Sequence, residues 1–193
     1  DTTPPTLSAM AADSTVECDG AGNVAAFNDW LNSQGGAEAT DVCSGVFWTH
    51  DYVASPDSCG ATSEVTVVFT ASDSCSNLTT TSATFKIVDT TSPAIGVAAV
   101  NDTVECDGAG NTTELQAWLD SQGGAVATDD CSGPVSWSND HTGLSDDCGA
   151  TGSTTVTFTA TDSCGNASTS TATFVVEDTM APVIGLAAAD TAT

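Results

Sequence analysis

Acidic side chains stand at matching places along this chain. Asp41 and Asp129 precede one set of cysteines, Asp73 and Asp162 precede another, and Asp1, Asp89 and Asp178 each open a run of the form Asp-Thr-x-x-Pro. Asn77 and Asn166 follow the second set closely. Carboxylates, amide oxygens and backbone carbonyls are hard ligands, and several drawn from separate loops suit Ca²⁺ at about 2.3–2.6 Å. A second candidate is the loop Asp-Gly-Ala-Gly-Asn that begins at Asp19 and again at Asp107. Its glycines permit a tight turn, and its Asp and Asn offer oxygens. Each set also has a plainer reading. An Asp before Thr and Pro can bond its own backbone in an Asx turn, and Asn23 or Asn111 can cap the start of a helix.

Charge narrows the partners. The 193 residues carry 26 acidic side chains against one basic side chain, for a formal net charge of −25. Nucleic-acid binding needs Lys and Arg to displace counter-ions from phosphates, so it is excluded as a function class. Anionic membrane surfaces are excluded by the same shortage, and no stretch has the roughly 20 apolar residues of a membrane span. Self-repulsion at this charge density favours bound cations or a salty medium. Hydrophobic residues still make up 40% of the chain, which is enough for a core.

A repeat organises the sequence. The run Thr15 to Asn23 returns verbatim as Thr103 to Asn111, a shift of 88. Cys18, Cys43, Cys59 and Cys75 correspond to Cys106, Cys131, Cys148 and Cys164, with one residue inserted beside Pro134. The repeats therefore span residues 1–88 and 89–177, and 178–193 open a third. Acids that recur in every repeat speak against a catalytic pair, so no enzyme activity is expected. His50 and His141 do not correspond, which removes a repeated histidine site. Eight cysteines without CxxC or zinc spacing indicate disulfides and an oxidising, extracellular compartment.

The elements that must position these residues follow a common pattern. Phe27, Trp30 and Leu31, and then Leu115, Trp118 and Leu119, have the spacing of an amphipathic helix. Gln34 to Gly36 and Gln122 to Gly124 stop it. Alternation predicts strands over Thr66–Ala71 and Thr155–Ala160, then Ala83–Val88 and Ala172–Val176, with Trp48 and Trp137 on a further strand. Short strands and polar turns predict an all-β chain of tandem Ig-like antiparallel sandwiches, each with a short helical insertion. Val183 to Ala189 read as the first strand of another repeat. That strand either continues a longer array or completes a neighbouring subunit.

The run Asp162-Ser-Cys-Gly-Asn-Ala-Ser168 after Thr-Val-Thr-Phe-Thr-Ala-Thr resembles the penultimate-strand signature of bacterial Ig-like adhesin repeats and hyalin (HYR) repeats. Ala127 to Cys131 is similar to the middle motif of the hyalin repeat, and Asp-Thr-x-x-Pro resembles the joints of large bacterial surface proteins. The resemblance implies that the Asp41 and Asp73 loops meet the linker at one pole, and that interdomain calcium stiffens the joint. A strand of roughly eight residues, about 26 Å long, separates Cys59 from Cys75. With the resembled pole assigned to Cys43, the implied bridges are Cys18–Cys59 and Cys43–Cys75, then Cys106–Cys148 and Cys131–Cys164. The implied function is a structural stalk, adhesin or surface filament whose partners are neighbouring repeats or subunits. The alternative is a carbohydrate-binding module, in which an exposed tryptophan pair stacks on a sugar. Asp-Thr-x also resembles a bacterial O-glycosylation motif at Thr2, Thr90, Thr103 and Thr179.

Overall fold

Alternating small, apolar and threonine residues set the architecture. The computed structural model describes residues 1–54, 59–131, 133–145 and 147–185. It falls into two compact units. The first comprises residues 1–94 with 127–136 and 160–168; the second comprises 95–126 and 137–159 with the chain from 169 onward. The units are therefore not delimited by the repeat limits of 1–88 and 89–177.

In the first unit the order is β1 (Thr6–Ala9), β2 (Ser14–Glu17), α1 (Val24–Asn32), a 3-10 turn (Gln34–Gly36), β3 (Glu38–Thr40), β4 (Phe47–His50), β5 (Ser63–Ser72) and β6 (Leu78–Val88). The chain continues through β7 (Ala94–Val97), β8 (Asp102–Glu105), α2 (Thr112–Asp120), a 3-10 turn (Gln122–Gly124), β9 (Val126–Thr128), β10 (Ser136–Asn139), β11 (Gly152–Thr161) and β12 (Ala167–Glu177). Two four-stranded sheets result, in the orders β2-β6-β5-β4 and β10-β11-β12-β8. Each is accompanied by a two-stranded sheet, β1-β3 or β7-β9. No helix among the described residues is long and apolar enough to cross a membrane.

Long antiparallel strands form the centre of each four-stranded sheet. β5 buries Val67, Phe69 and Ala71 on one face, and β6, paired from Ser63↔Ile87 to Ser72↔Leu78, buries Ala83, Phe85 and Ile87. The same alternation in β11 and β12 buries Val156, Phe158 and Ala160 beside Ala172, Phe174 and Val176. Here the expected strands are present, longer than the alternating cores alone would set them.

Two features depart from an antiparallel sandwich. First, β2 joins β6 in parallel, with Val16 opposite Ile87, and β8 joins β12 in parallel, with Val104 opposite Val176. A helix and three strands lie between the members of each parallel pair, so the pair is joined by a long crossover rather than a hairpin. Second, the helix is a packing layer rather than an insertion. Trp30 lies edge-on to Phe69 at 5.4 Å and 5.3 Å from Phe85, and Phe27 meets Phe85 at 5.2 Å. In the second unit Trp118 lies 5.2 Å from Phe158 and 5.5 Å from Phe174. Each buried indole N–H keeps a partner, donating to the carbonyl of Ala12 at 3.0 Å or Val100 at 3.1 Å. These rings bury much of the surface that a second sheet would otherwise supply.

Beneath each indole lies a glycine of the 3-10 turn that follows the helix. Gly35 and Gly123 have φ of +65° and +62°, and an added Cβ would meet the Trp ring and Phe69 or Phe158 at 3.2–3.4 Å. Both the left-handed backbone and the close approach require glycine there. Trp48 and Trp137 are half-buried and pack against the two cores, so neither tryptophan pair forms an exposed sugar platform. Of the strand expected at Val183–Ala189, residues 183–185 are not in a strand, and the rest lies outside the described residues.

Trp118→Ala is expected to lower unfolding free energy by about 3–5 kcal/mol in a urea titration followed by circular dichroism. Trp118→Phe should cost less, because a ring remains between Phe158 and Phe174.

Candidate metal centre and disulfide frame

The two Asp-x-Cys loops of a repeat have a common local construction: an Asp carboxylate accepts the N–H of the cysteine two residues on. Asp41 does so for Cys43 at 2.9 Å, Asp73 for Cys75 at 2.8 Å, Asp129 for Cys131 at 2.9 Å and Asp162 for Cys164 at 2.9 Å. Asp73 also takes the Asn77 N–H at 2.8 Å, and Asp162 takes that of Asn166 at 2.8 Å. Each loop thus fixes one carboxylate and one cysteine together. The pKa of Asp73 lies below the usual carboxylate value, first because the Asn77 side chain donates to it.

The linker aspartates join these loops. Asp1, Asp41 and Asp73 form one group, and Asp89, Asp129 and Asp162 another; in each, one carboxylate oxygen per residue lies within 4.8 Å of the other two. Asn77 Nδ2 donates to Asp73 at 2.7 Å and to the Asp1 carbonyl at 3.3 Å. Asn166 Nδ2 repeats this with Asp162 at 2.8 Å and the Asp89 carbonyl at 3.0 Å. With their amide nitrogens turned inward, Asn77 and Asn166 orient the carboxylates rather than add a further oxygen. Pro5 and Pro93, the prolines of the two linkers, are fully buried and anchor the backbone beside each group.

Asp89 is the exceptional member. It is only 9% exposed, one oxygen accepts the Thr91 N–H at 3.1 Å, and the other, Oδ2, is buried with no hydrogen-bond donor. Burial raises its pKa, and the charges of Asp129, Asp162 and Glu17 raise it further. No ammonium relieves this repulsion, since Lys86, the chain's one basic side chain, pairs with Glu64 at 3.2 Å. A buried acceptor among like charges is the environment a divalent cation neutralises. The donor set is all oxygen, as a hard cation needs.

The other candidates are placed differently. Asp178 is exposed, accepts the Met180 N–H at 2.9 Å, and belongs to no carboxylate trio among the described residues. Asp19 accepts the N–H groups of Ala21 and Asn23, both at 2.8 Å, and Asp107 those of Ala109 at 2.7 Å and Asn111 at 3.0 Å. These backbone donors lower the pKa of both carboxyls, so each closes a turn. Asn23 and Asn111 stand at the helix starts in the left-handed region, with φ of 52° and 50°, but make no side-chain cap. Their side chains instead receive the Asp19 or Asp107 N–H and donate to the Glu17 or Glu105 carbonyl.

Glu17 and Glu105 were invisible as functional candidates in the sequence. Glu17 accepts the Thr90 N–H at 2.7 Å and the Thr90 hydroxyl at 2.9 Å, and Glu105 does the same for Thr179 at 2.9 Å and 2.8 Å. These bonds tie the end of β2 or β8 to the following linker and lower both glutamate pKa values, through Thr90 and Thr179 respectively. The signal was the verbatim Thr-Val-Glu-Cys run, which alternation reads simply as strand. Of the threonines considered for glycans, Thr90 and Thr179 are engaged in this way, while Thr2 and Thr103 are exposed.

The disulfides differ from the pairing the resemblance implied. Cys18 bonds Cys131 and Cys59 bonds Cys164, with Cα separations of 5.8 and 5.2 Å. Cys43, Cys75, Cys106 and Cys148 are free thiols. Thus Cys18–Cys59, Cys43–Cys75, Cys106–Cys148 and Cys131–Cys164 are not formed. The reason is the construction of the acidic loops. The loops that bring Asp129 and Asp162 to Asp89 also bring Cys131 and Cys164. Cys18 receives Cys131 at that end of the sheet, where its own N–H donates to the Val88 carbonyl at 2.8 Å. Beside it, the Ala61 N–H donates to the Cys131 carbonyl at 2.9 Å. Both bridges therefore lie inside the first unit, binding its segments 127–136 and 160–168 to residues 18 and 59.

No family model matches the chain, and no curated protein does. Among solved structures it is similar to Drosophila N-cadherin EC1-4, at 8% identity and a TM-score of 0.36, over 92% of this chain and 50% of that one. It is also similar to mouse clustered PcdhgC3 EC1-3, at 12% identity and a TM-score of 0.29, over 91% and 68%. A chimeric titin Z1Z2 tandem aligns at 14% identity and a TM-score of 0.26, over 90% and 100%. The chain thus spans half of the N-cadherin fragment.

Digestion without reduction is expected to release Cys18–Cys131 and Cys59–Cys164 peptides. Replacing Cys18 and Cys131 together by Ser should lower stability by about 4–5 kcal/mol, because the bridge closes a loop spanning 113 residues.

Proposed function

We propose that the chain is an extracellular structural or adhesive array of Ig-like repeats, related in plan to hyalin and bacterial adhesin repeats. Its linkers are braced by Ca²⁺ and disulfides. The observation that carries this reading is the buried, unpartnered Asp89 Oδ2 beside the Asp129 and Asp162 carboxylates. Asp89, Asp129 and Asp162 hold one ion, and Asp1, Asp41 and Asp73 hold another. A cation at Asp89 fixes the linker residue against both loops, and the adjacent bridges make the same attachment covalently. Disulfides of this kind persist outside the reducing cytosol, which supports an extracellular location.

The test is calorimetric Ca²⁺ titration together with thermal unfolding in EDTA and in Ca²⁺. Two binding sites are expected. At a hundred times the dissociation constant, each contributes about 2.7 kcal/mol, a rise in Tm of about 5–10 °C for a chain of this size. Asp89→Asn should remove one site and, by relieving like-charge repulsion, leave the calcium-free protein no less stable. Asp19→Ala should leave both sites intact. If Ca²⁺ neither binds nor raises the Tm, the acidic groups are turns alone and the reading fails.

Acidification offers an independent check. The raised pKa of Asp89 means that the calcium-free native state takes up a proton more readily than the unfolded chain. Calcium-free stability attributable to this group therefore increases as pH falls through that raised pKa and is fully present only below the ordinary aspartate value. The stabilisation by Ca²⁺ should shrink over the same range, because protons compete for the ligand.

A further inference from the structure

The four free thiols are two complementary halves of the disulfide pair already formed. The bonded cysteines follow a rule in repeat order. The first cysteine of one repeat, Cys18, joins the second of the next, Cys131, and the third, Cys59, joins the fourth of the next, Cys164. What remains is the second and fourth cysteine of the leading repeat, Cys43 and Cys75, and the first and third of the following repeat, Cys106 and Cys148. We propose that Cys106 and Cys148 of one copy form disulfides with Cys43 and Cys75 of a second copy, joining chains head to tail.

Local geometry prepares both halves. Cys43 and Cys75 are held by the Asp41 and Asp73 carboxylates at 2.9 and 2.8 Å, and bonded Cys131 and Cys164 are held by Asp129 and Asp162 in the same way, both at 2.9 Å. Cys106 donates its N–H to the Glu177 carbonyl at 2.8 Å, matching Cys18 with Val88 at 2.8 Å. The Cys148 carbonyl accepts the Thr151 hydroxyl at 2.7 Å, matching Cys59 with Thr62 at 2.7 Å. The groove beside Cys148, lined by Thr151, Ser153, Val176 and Glu177, repeats the one lined by Thr62, Glu64, Ile87 and Val88, where Cys59 meets Cys164.

Burial tells the same story. Cys18 and Cys131 are 9% and 8% exposed, and Thr62 is 5% exposed. Cys43, Cys75 and Cys148 are exposed, and Cys106 is half-buried.

Each new bridge removes two protons and two electrons from a thiol pair. Glutathione disulfide is a sufficient acceptor: one protein thiolate attacks it and releases one glutathione, and the second protein thiolate displaces the other. Two protein thiols and one glutathione disulfide thus yield one protein disulfide and two glutathione thiols. The proposal rests on the array reading above, but it is independent of calcium and is tested in EDTA.

The experiment incubates the full chain with glutathione disulfide and reduced glutathione, followed by non-reducing electrophoresis and mass spectrometry of peptides cleaved after both Asp and Glu, which places each cysteine on its own peptide. A ladder of oligomers that collapses on reduction is expected, with Cys106–Cys43 and Cys148–Cys75 peptides. Two capped variants sharpen the test, one carrying Cys43→Ser with Cys75→Ser and the other Cys106→Ser with Cys148→Ser. Each alone should stay monomeric, and an equimolar mixture should stop at the dimer. Monomers containing Cys106–Cys148 or Cys43–Cys75, links between identical cysteines, or four thiols that stay reduced would each overturn the proposal. A ladder formed by a chain that binds no Ca²⁺ would sink only the calcium reading.

Discussion

Three carboxylates brought within 4.8 Å of one another, in a chain with a single basic side chain, impose a condition on everything around them. Such a group repels itself, so the loops that bear it must be held by other means or by a bound cation. Backbone N–H groups take one oxygen of most of these aspartates, asparagine amides steer two of them, and a buried proline fixes each linker. The disulfides in the first unit then tether the same loops covalently. Read in this way, the Asp-x-Cys spacing is one device with two outputs, an oxygen aimed at the linker and a sulfur aimed at the neighbouring turn.

Much of this was legible in the sequence because the two repeats keep their cysteines, loop acids and helix tryptophans in register. The helices over Phe27, Trp30 and Leu31 and over Leu115, Trp118 and Leu119 declare themselves by spacing, and β5, β6, β11 and β12 by alternation. The three acidic positions of each site could be aligned before any fold was known. The disulfide partners could not. Both repeats place cysteines at corresponding positions, and spacing alone does not say which repeat supplies the partner of Cys18. The parallel entry of β2 was equally hidden, since a four-residue strand has no directional signature. Glu17 and Glu105 escaped notice because an acidic residue on a short edge strand looks like a solvated side chain until its linker partner is seen.

The helix layer follows from what the four-stranded sheets leave uncovered. Each presents two phenylalanines on its inner face, Phe69 with Phe85 or Phe158 with Phe174, and a two-stranded ribbon is too narrow to cover them. One helix indole per unit supplies the missing area in a single side chain, and its N–H reaches back to a carbonyl between the first two strands of the repeat, Ala12 or Val100. The tolerance beneath that ring is small, which is why the 3-10 turn after each helix places a glycine there.

The parallel pairing of β2 with β6 has a mechanical meaning. The chain enters a repeat ahead of β2 and leaves it after β6, and in a parallel pair those two points lie at opposite ends of the ladder. Tension applied along the chain therefore shears the four paired positions from Ser14 to Glu17 together, rather than peeling them apart in turn. Cys18 sits at the end of β2 and is bonded to Cys131. Part of any pull that reaches Cys131 is thus delivered to β2 through sulfur, past the linker, so the ladder and the bridge share the load.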